Sequence, residues 1–493
     1  MLLCSGQRRW ELIMKDYELF VQQIIEDKAQ DLQMLSDFIW DHPETLYEEY
    51  DSSAEICNYL EQQGFDIEQG IANIPTAFSA TFGNKGPVIG LLAEYDALPS
   101  LSQVANITYN KPVEHNKAGH GCGHNLLGTG AIGAALAVQA YLEKYKLPGT
   151  VKIIGCPAEE GGSGKGFLAR AGMFDDLDLA LTWHPTPFNA IMALRSLANF
   201  QVKYKFKGKS AHAASAPHIG RSALDAVELM NVGGNYLREH LIQDARIHYA
   251  ITDTGGVSPN VVQAEAEVVY LIRAPKIEDA REIYKRVDKI AQGAALMTGT
   301  TMSSELMSAV SEYVPNQTLE QVVFDELDKE RQISYTSEEQ TFAQALWETL
   351  SEEEQQTAVK TYESFGVLQD QHLVEGKNLS DVIHPYEPTT KIMYGSTDVA
   401  DVSWNVPTAQ VTTATAAIGT QLHTWQMVAQ GKSTVAQKGM SRAARVLARS
   451  AIYVLEHPEK LKDIEQEFDR EIGRDQYQSP LPEEVKPPVH NME

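Results

Sequence analysis

Three short apolar runs stand out in the first 190 residues: VIGLLAEYDALP (88–99), TVKIIGC (150–156) and LDLALTWHP (177–185). Continuous apolar runs of this length predict buried strands. Each one leads into a segment carrying acids or a histidine. Between the first two, LLGTGAIGAALAVQAYLEKY (126–145) predicts a helix of small residues that can pack closely on its neighbours. Ahead of them, residues 15–64 read as two amphipathic helices around DHPE. Strands alternating with helices predict an α/β domain built on a mostly parallel sheet flanked by helices.

The pattern changes after about residue 197. FQVKYKF (200–206) alternates apolar and polar positions, as an antiparallel strand with one wet face does. A helix over 221–241 follows, then strands at RIHYAI and EAEVVYLIRA, a helix over 277–296, and a strand at MSSELMSAV. This β-α-β-β-α-β succession predicts an inserted ferredoxin-like α+β unit. The chain therefore divides into 1–197, an inserted domain over 198–312, and 313–493, where helices at 337–350 and 433–456 and the apolar AQVTTATAAIG return to the first domain. The acidic stretch 318–360 reads as a solvated helical surface, and the proline-rich tail PLPEEVKPPVHNME as loose.

Charge narrows the partners. With 41 Lys+Arg against 67 Asp+Glu, the 493-residue chain carries a formal charge of −26, which argues against nucleic acid and anionic membrane surfaces. No uninterrupted apolar run approaches the roughly 18 residues of a membrane span. The apolar start of MLLCSGQRRW is too short for a signal peptide, and Met14, where the amphipathic pattern begins, is an alternative start. The expected compartment is the cytoplasm. There the scattered Cys4, Cys57, Cys122 and Cys156 would be free thiols or metal ligands, not a disulfide framework.

Candidate chemistry gathers where α/β enzymes place their sites, at the carboxyl ends of strands. Asp96 ends the first strand, Cys122 and His124 lie in GHGCGHN (119–125), Glu159 and Glu160 in PAEEGG, His184 ends the third strand, and His423 follows the late apolar segment. Each alone has an ordinary structural explanation: a small buried cysteine, a core histidine, a turn-capping aspartate, surface glutamates. Together they are all of metal-ligand or acid/base type. Thiolate, imidazole and carboxylate suit Zn²⁺ or a similar borderline ion. A Cys-x-His spacing cannot share a helical face, but flanking glycines let the loop aim both side chains inward. Five such ligands would be enough for two metals with a bridging group.

GHGCGHN, PAEEGG, TWHP, GKSAHAA and GTQLHTW resemble the metal-dependent amidohydrolases of the aminoacylase/carboxypeptidase superfamily, a group of metallopeptidases. IWDHPET and LHTWQMVAQG place the likeness nearest the aminobenzoyl-glutamate utilisation protein B branch, and it runs from about DHPET to the helix ending near 456. The resemblance implies two divalent metals, Zn or Mn, with Cys122 bridging and His124, Glu160, His184 and His423 as further ligands. It implies that Glu159 is the general base for a metal-activated water and then passes the proton to the leaving amine. Asp96 would orient a ligand histidine. The inserted domain would be a lid and dimerisation domain, its His212 reaching a partner subunit's site to help stabilise the oxyanion. Asn260 and Arg273 would hold the substrate carboxylate. A homodimer and a heterodimer with a related chain both fit. The implied reaction cleaves an amide between an acyl or aryl group and an amino acid, glutamate conjugates first, N-acyl amino acids or dipeptides as alternatives.

Two positions depart from the wider family. Asn125 stands where aspartate is usual, and Glu94 where more distant members carry a ligand histidine, so the first metal should rely on Cys122 and His124. His120 has no assigned role. Two other classes compete with this reading: a cysteine hydrolase with Cys122 as nucleophile and His124 as base, for which the spacing is unfavourable, and a catalytically weak binding or regulatory subunit.

Overall fold

The computed structural model of the chain describes residues 17–115, 117–367, 370–474 and 476–489; Cys4 and the alternative start at Met14 lie outside them. The first amphipathic segment is two helices meeting at Lys28, α1 over 17–27 and α2 (Ala29–Asp41), followed by α3 (Tyr50–Gln62). Strands β1 (Asp66–Gln69) and β2 (Phe78–Lys85) form an antiparallel margin that the apolar pattern does not reveal. The first is short and mostly exposed, and the second ends in exposed Gly-Asn-Lys.

The three apolar runs are β3 (Val88–Glu94), β4 (Gly149–Cys156) and β5 (Leu179–Thr186). With the two-residue β6 (Ala190–Ile191) and the late β11 (Thr408–Ala414) they make a seven-stranded sheet in the order β1-β2-β4-β3-β5-β11-β6. Its centre is parallel: β4 with β3, β3 with β5, β5 with β11. Every residue of β4 and β11 is buried, because helices cover both faces of a parallel sheet. The small-residue helix is α4 (His124–Tyr145). A Cβ on Gly128 would lie 2.6 Å from the carbonyl oxygen of Glu94, so α4 lies on β3 at a distance only glycine permits. Among the described residues α4 is the one helix long and apolar enough to cross a membrane, and it is buried in the protein core.

After α5 (Gly164–Arg170), the predicted succession appears as β7 (Ala198–Lys207), α6 (Ala223–Leu237), β8 (Arg246–Asp253), β9 (Glu265–Ala274), α7 (Ile277–Thr298) and β10 (Thr301–Val310). The strands form a second, antiparallel sheet in the order β10-β7-β9-β8, the ferredoxin-like topology. Val202, Tyr204, Val268 and Tyr270 pack against Ala226, Met230, Ile283 and Val287 of α6 and α7. The edge strand β8 is exposed from His248 onward.

The remaining helices are α8 (Gln317–Asp328), α9 (Ser337–Trp347), α10 (Glu352–Thr357), α11 (Val399–Ser403), α12 (Trp425–Gln430), α13 (Thr434–Glu456) and α14 (Pro458–Glu471). The expectation of a solvated acidic surface holds for α10, which buries nothing. It fails for α8, which buries Leu319, Val322, Val323 and Leu327. Glu326 in it and Glu330 just beyond it are neutralised from α13: Arg449 lies 3.2 Å from Glu326 and 2.8 Å from Glu330, and Arg445 2.6 Å from Glu330. The tail is not loose over its described part. Leu481 is buried, the Tyr477 hydroxyl donates to Asp401 (2.9 Å), and Arg170 donates to the carbonyl of Pro482 (2.5 Å).

Candidate active site

The parallel strands end at one edge of the sheet, and their exits carry the candidate residues. Asp96 lies two residues beyond β3, Glu159 and Glu160 three and four beyond β4, and His184 two residues before the end of β5. Gly123, at φ 77°, caps α4 in the left-handed conformation. That turn makes His124 the first helical residue and leaves Cys122 on the loop, so two residues on different elements face one point.

Hydrogen bonds fix the imidazoles. His124 donates from Nδ1 to Asp96 Oδ1 (2.9 Å) and lies 3.1 Å from the Asp96 carbonyl oxygen. The other oxygen of Asp96 accepts from the Glu160 backbone N–H (2.9 Å). His184 donates from Nδ1 to the Pro185 carbonyl (2.9 Å), leaving Nε2 3.4 Å from Cys122 Sγ. His423 Nε2 stands 3.3 Å from Glu160 Oε2. For His124 and His184, binding the far nitrogen in this way turns Nε2 toward the site, where the neutral ring presents its lone pair.

Three overlapping sets of donor atoms result, each within 4.8 Å: Cys122, His124 and His184; Cys122, Glu160 and His423; Glu94, His124 and Glu159. Cys122 belongs to the first two. Nε2 of His124 and Oε1 of Glu160 are buried without a hydrogen bond, though Glu94 Oε2 lies 3.3 Å from that nitrogen. Two such atoms beside Cys122, one from the first turn of α4 and one from the loop after β4, fit a metal centre. Burial acts against the charge on Glu160, but His423 and His124 outweigh it and hold its pKa down at about 2. Burial and Glu160 push the Cys122 thiol well up, the reverse of an activated cysteine nucleophile.

Glu159 has the opposite environment. Desolvation, then the charges of Glu94, Asp398 and Glu160, push its pKa well up, with Lys165 working against them. The DHPETLYEE segment braces its loop and the one that follows β3. The Glu49 carboxylate accepts from Ala158 N (3.0 Å), the Tyr47 hydroxyl donates to the Gly162 carbonyl, and the Glu44 carbonyl accepts from Ala97 N (2.7 Å). Ala158, Ser163 and His423 all have positive φ near 60°. Strained non-glycine residues of this kind concentrate at functional sites.

A cavity of about 900 Å³ opens over Cys122, Glu159, Glu160, His184 and His423, within the size range of ligand pockets. Met192, Leu194, Phe365 and Met393 give it an apolar wall, with Lys360 at its lining. A smaller polar compartment of about 170 Å³ shares Glu159 and Glu160 and is lined by Arg273, Asn199 and Gln201. Arg273 Nε is buried and unpaired there. His212 and Asn260 line neither cavity. His212 accepts from Ala214 N and Ser215 N on the second sheet's outer loops, and Asn260 is exposed.

The two unexplained letters of GHGCGHN are structural. His120 Nε2 donates to the Ile39 carbonyl (2.9 Å), and burial drives its pKa to about 3. Asn125 donates to Ser36 Oγ (3.0 Å) and the Gly431 carbonyl (3.2 Å), away from the ligand atoms. Reading the sequence missed Lys165, Thr397 and Asp398, which meet at Glu94 and Glu159, and the cavity wall from 360 to 397. A lysine closing the same glycine-rich loop as the glutamates, EEGGSGK, was the available signal.

Comparison with known proteins decides the family. The profile of peptidase family M20/M25/M40 matches residues 90–362, more than half of the chain. The B-type subunit of p-aminobenzoyl-glutamate hydrolase from Escherichia coli (strain K12) is 46% identical over 481 residues, 96% of this chain and 99% of that one. The chain belongs to the M20/M25/M40 peptidase family. It is a hydrolase with the amidohydrolase character of that family. The Xaa-Arg dipeptidase of Homo sapiens is 28% identical over 96% of both chains. Among solved structures, the Bacillus subtilis YXEP protein, a dinuclear metal-binding peptidase of family M20, superposes with a TM-score of 0.55 at 18% identity, over 87% of this chain and 99% of that one. That match shows the shared fold.

Proposed function

We propose that this family member cleaves the amide joining an acyl or aryl group to an amino acid, with glutamate conjugates such as aminobenzoyl-glutamate as first candidates. The observation that carries the reading is the pair of donor triads sharing Cys122, with Glu159 between an apolar cavity and a compartment lined by Arg273, whose buried Nε has no partner while its NH1 donates to the Tyr394 carbonyl (3.3 Å). Cys122, His124 and His184 would hold one divalent ion, Zn or Mn, and Cys122, Glu160 and His423 the other. Such ions supply Lewis acidity toward a carbonyl and toward water.

The chain's own groups account for the rest. Glu159 takes a proton from the attacking water and delivers it to the leaving amine; its raised pKa suits both halves of that task. Arg273 pairs with the substrate carboxylate; Asn260, which lines neither cavity of its own chain, would join a carboxylate only at a partner's site. The apolar wall receives the acyl or aryl group. Residues 198–312 act as lid and dimerisation domain between two parts of the catalytic domain, 1–197 and 313–493. Since His212 is remote from its own chain's cavity, it serves a partner's site, whether that partner is a copy or a related chain. The enzyme works in the cytoplasm.

Glu159→Gln tests the mechanism: metal content should persist while turnover of aminobenzoyl-glutamate, acyl amino acids or dipeptides falls by roughly 10²–10⁴-fold. A variant keeping more than a tenth of wild-type activity overturns it. Mixing inactive His212→Ala with inactive Glu159→Gln should restore part of the activity if sites are shared, and none if they are not.

A further inference from the structure

Behind Glu159 lies a buried polar chain that the reaction so far leaves unused. Lys165 is fully buried, and its ammonium lies 2.6 Å from both Glu94 Oε1 and Asp398 Oδ1. Its backbone N–H donates to the second oxygen of Asp398 (2.9 Å). Asp398 is thus held at two points by one residue, and the strand-end Glu94 is tied to it through the same cation. Thr397 precedes Asp398. Its hydroxyl accepts from Val399 N (3.3 Å), which commits its own hydrogen to the other side, where Glu159 Oε1 lies at 2.9 Å.

We propose that Thr397 is a positioning residue for Glu159, kept in place by the buried Asp398–Lys165–Glu94 chain. This rests on the reading of Glu159 as general base. The argument is one of geometry against repulsion. Glu159 sits among Glu94, Asp398 and Glu160, which would turn an untethered carboxylate outward. The Thr397 hydroxyl engages Oε1 and leaves Oε2 for the proton. Threonine is stiff about χ1; the Asp398–Lys165 contacts anchor the next residue of the chain, and the Val399 N–H holds the hydroxyl itself. A serine could supply the hydroxyl with less restraint; a valine keeps the shape and removes the donor.

The test compares Thr397→Val, Thr397→Ser and Glu159→Gln in the metal-reconstituted full chain, measuring kcat, KM and bound metal on aminobenzoyl-glutamate, together with a crystal structure of metal-free Thr397→Val. Thr397→Val should lower kcat tenfold or more, with KM within twofold and metal content unchanged, and Thr397→Ser should recover at least half of the loss. In the metal-free crystal the Glu159 carboxylate should leave its present orientation. The proposal fails if Thr397→Val keeps kcat within twofold, if its defect is lost metal, if serine recovers nothing, or if Glu159 has not moved in the crystal. Retained turnover in Glu159→Gln would overturn the base assignment instead. The crystal structure reports on the Thr397 contact independently of that result.

Discussion

Asp96 is the residue whose removal should most directly expose how the site is organised. One carboxylate serves two proposed ligands: Oδ1 accepts from His124 Nδ1 and Oδ2 from the Glu160 N–H, each at 2.9 Å. In Asp96→Ala the His124 N–H keeps an acceptor, because the residue 96 carbonyl already lies 3.1 Å away. It loses only the charge assistance, about 1 kcal/mol. The Glu160 N–H is left without its acceptor at a buried position, about 1–3 kcal/mol. Together these amount to about 2–4 kcal/mol against the assembled site, or roughly 30–900-fold in metal affinity. That range starts inside the roughly 10–100-fold that outer hydrogen-bond partners of metal ligands contribute and extends above it. Asp96→Asn keeps one accepting oxygen and faces one N–H with an amide nitrogen, so its loss should be nearer tenfold. Competition for Zn²⁺ against a chromophoric chelator measures both, with circular dichroism to confirm the fold. Affinity of Asp96→Ala within threefold of wild type would refute the orienting role.

Three further outcomes follow from the structure. Removing metal with a chelator should abolish activity and lower Tm, and Mn²⁺ or Zn²⁺ at 100 times Kd should return about 2.7 kcal/mol of stability in a calorimetric scan. Burial pushes the Glu320 pKa to about 8 despite the Tyr386 hydroxyl 2.7 Å away. The folded chain therefore holds a proton there that the unfolded chain releases above its ordinary carboxylate pKa. Stability is lost as pH rises toward and through 8, so Glu320→Gln should raise Tm at pH 9 and change little at pH 4. Leu481→Ala, on the docked tail, should cost about 2–5 kcal/mol by leaving a cavity against the core; an unchanged thermal midpoint would mean that the tail is not bound.

How much was legible in the sequence varied with the physics of each segment. β3, β4, β5 and β11 were readable because strands buried on both faces are continuously apolar. β1 and β2 were not, because a sheet margin carries no such run. α8 reads as a solvated surface, since Glu326 in it and Glu330 just beyond it look like surface charge until Arg445 and Arg449 of α13 meet them across 115 to 123 positions. The tail was misread for a similar reason. Proline and charge suggest disorder, and only the surface offered by α5 and α11 shows that Leu481 and Tyr477 have places to go.

By itself the sequence determined the donor types, Cys122, His124, Glu159, Glu160, His184 and His423, and the strands that bring them to one edge, because ligand chemistry and burial are properties of residue type and short-range pattern. The tertiary structure alone decided which atoms converge and which side chains hold them. The Asp96 carboxylate shared between His124 and Glu160, the Tyr47 and Glu49 brace beneath the glutamate loop, and Lys165 reaching Asp398 across 233 positions are contacts of chain packing. No local pattern encodes them, since each partner alone is an ordinary polar residue whose role exists only once the fold removes it from water.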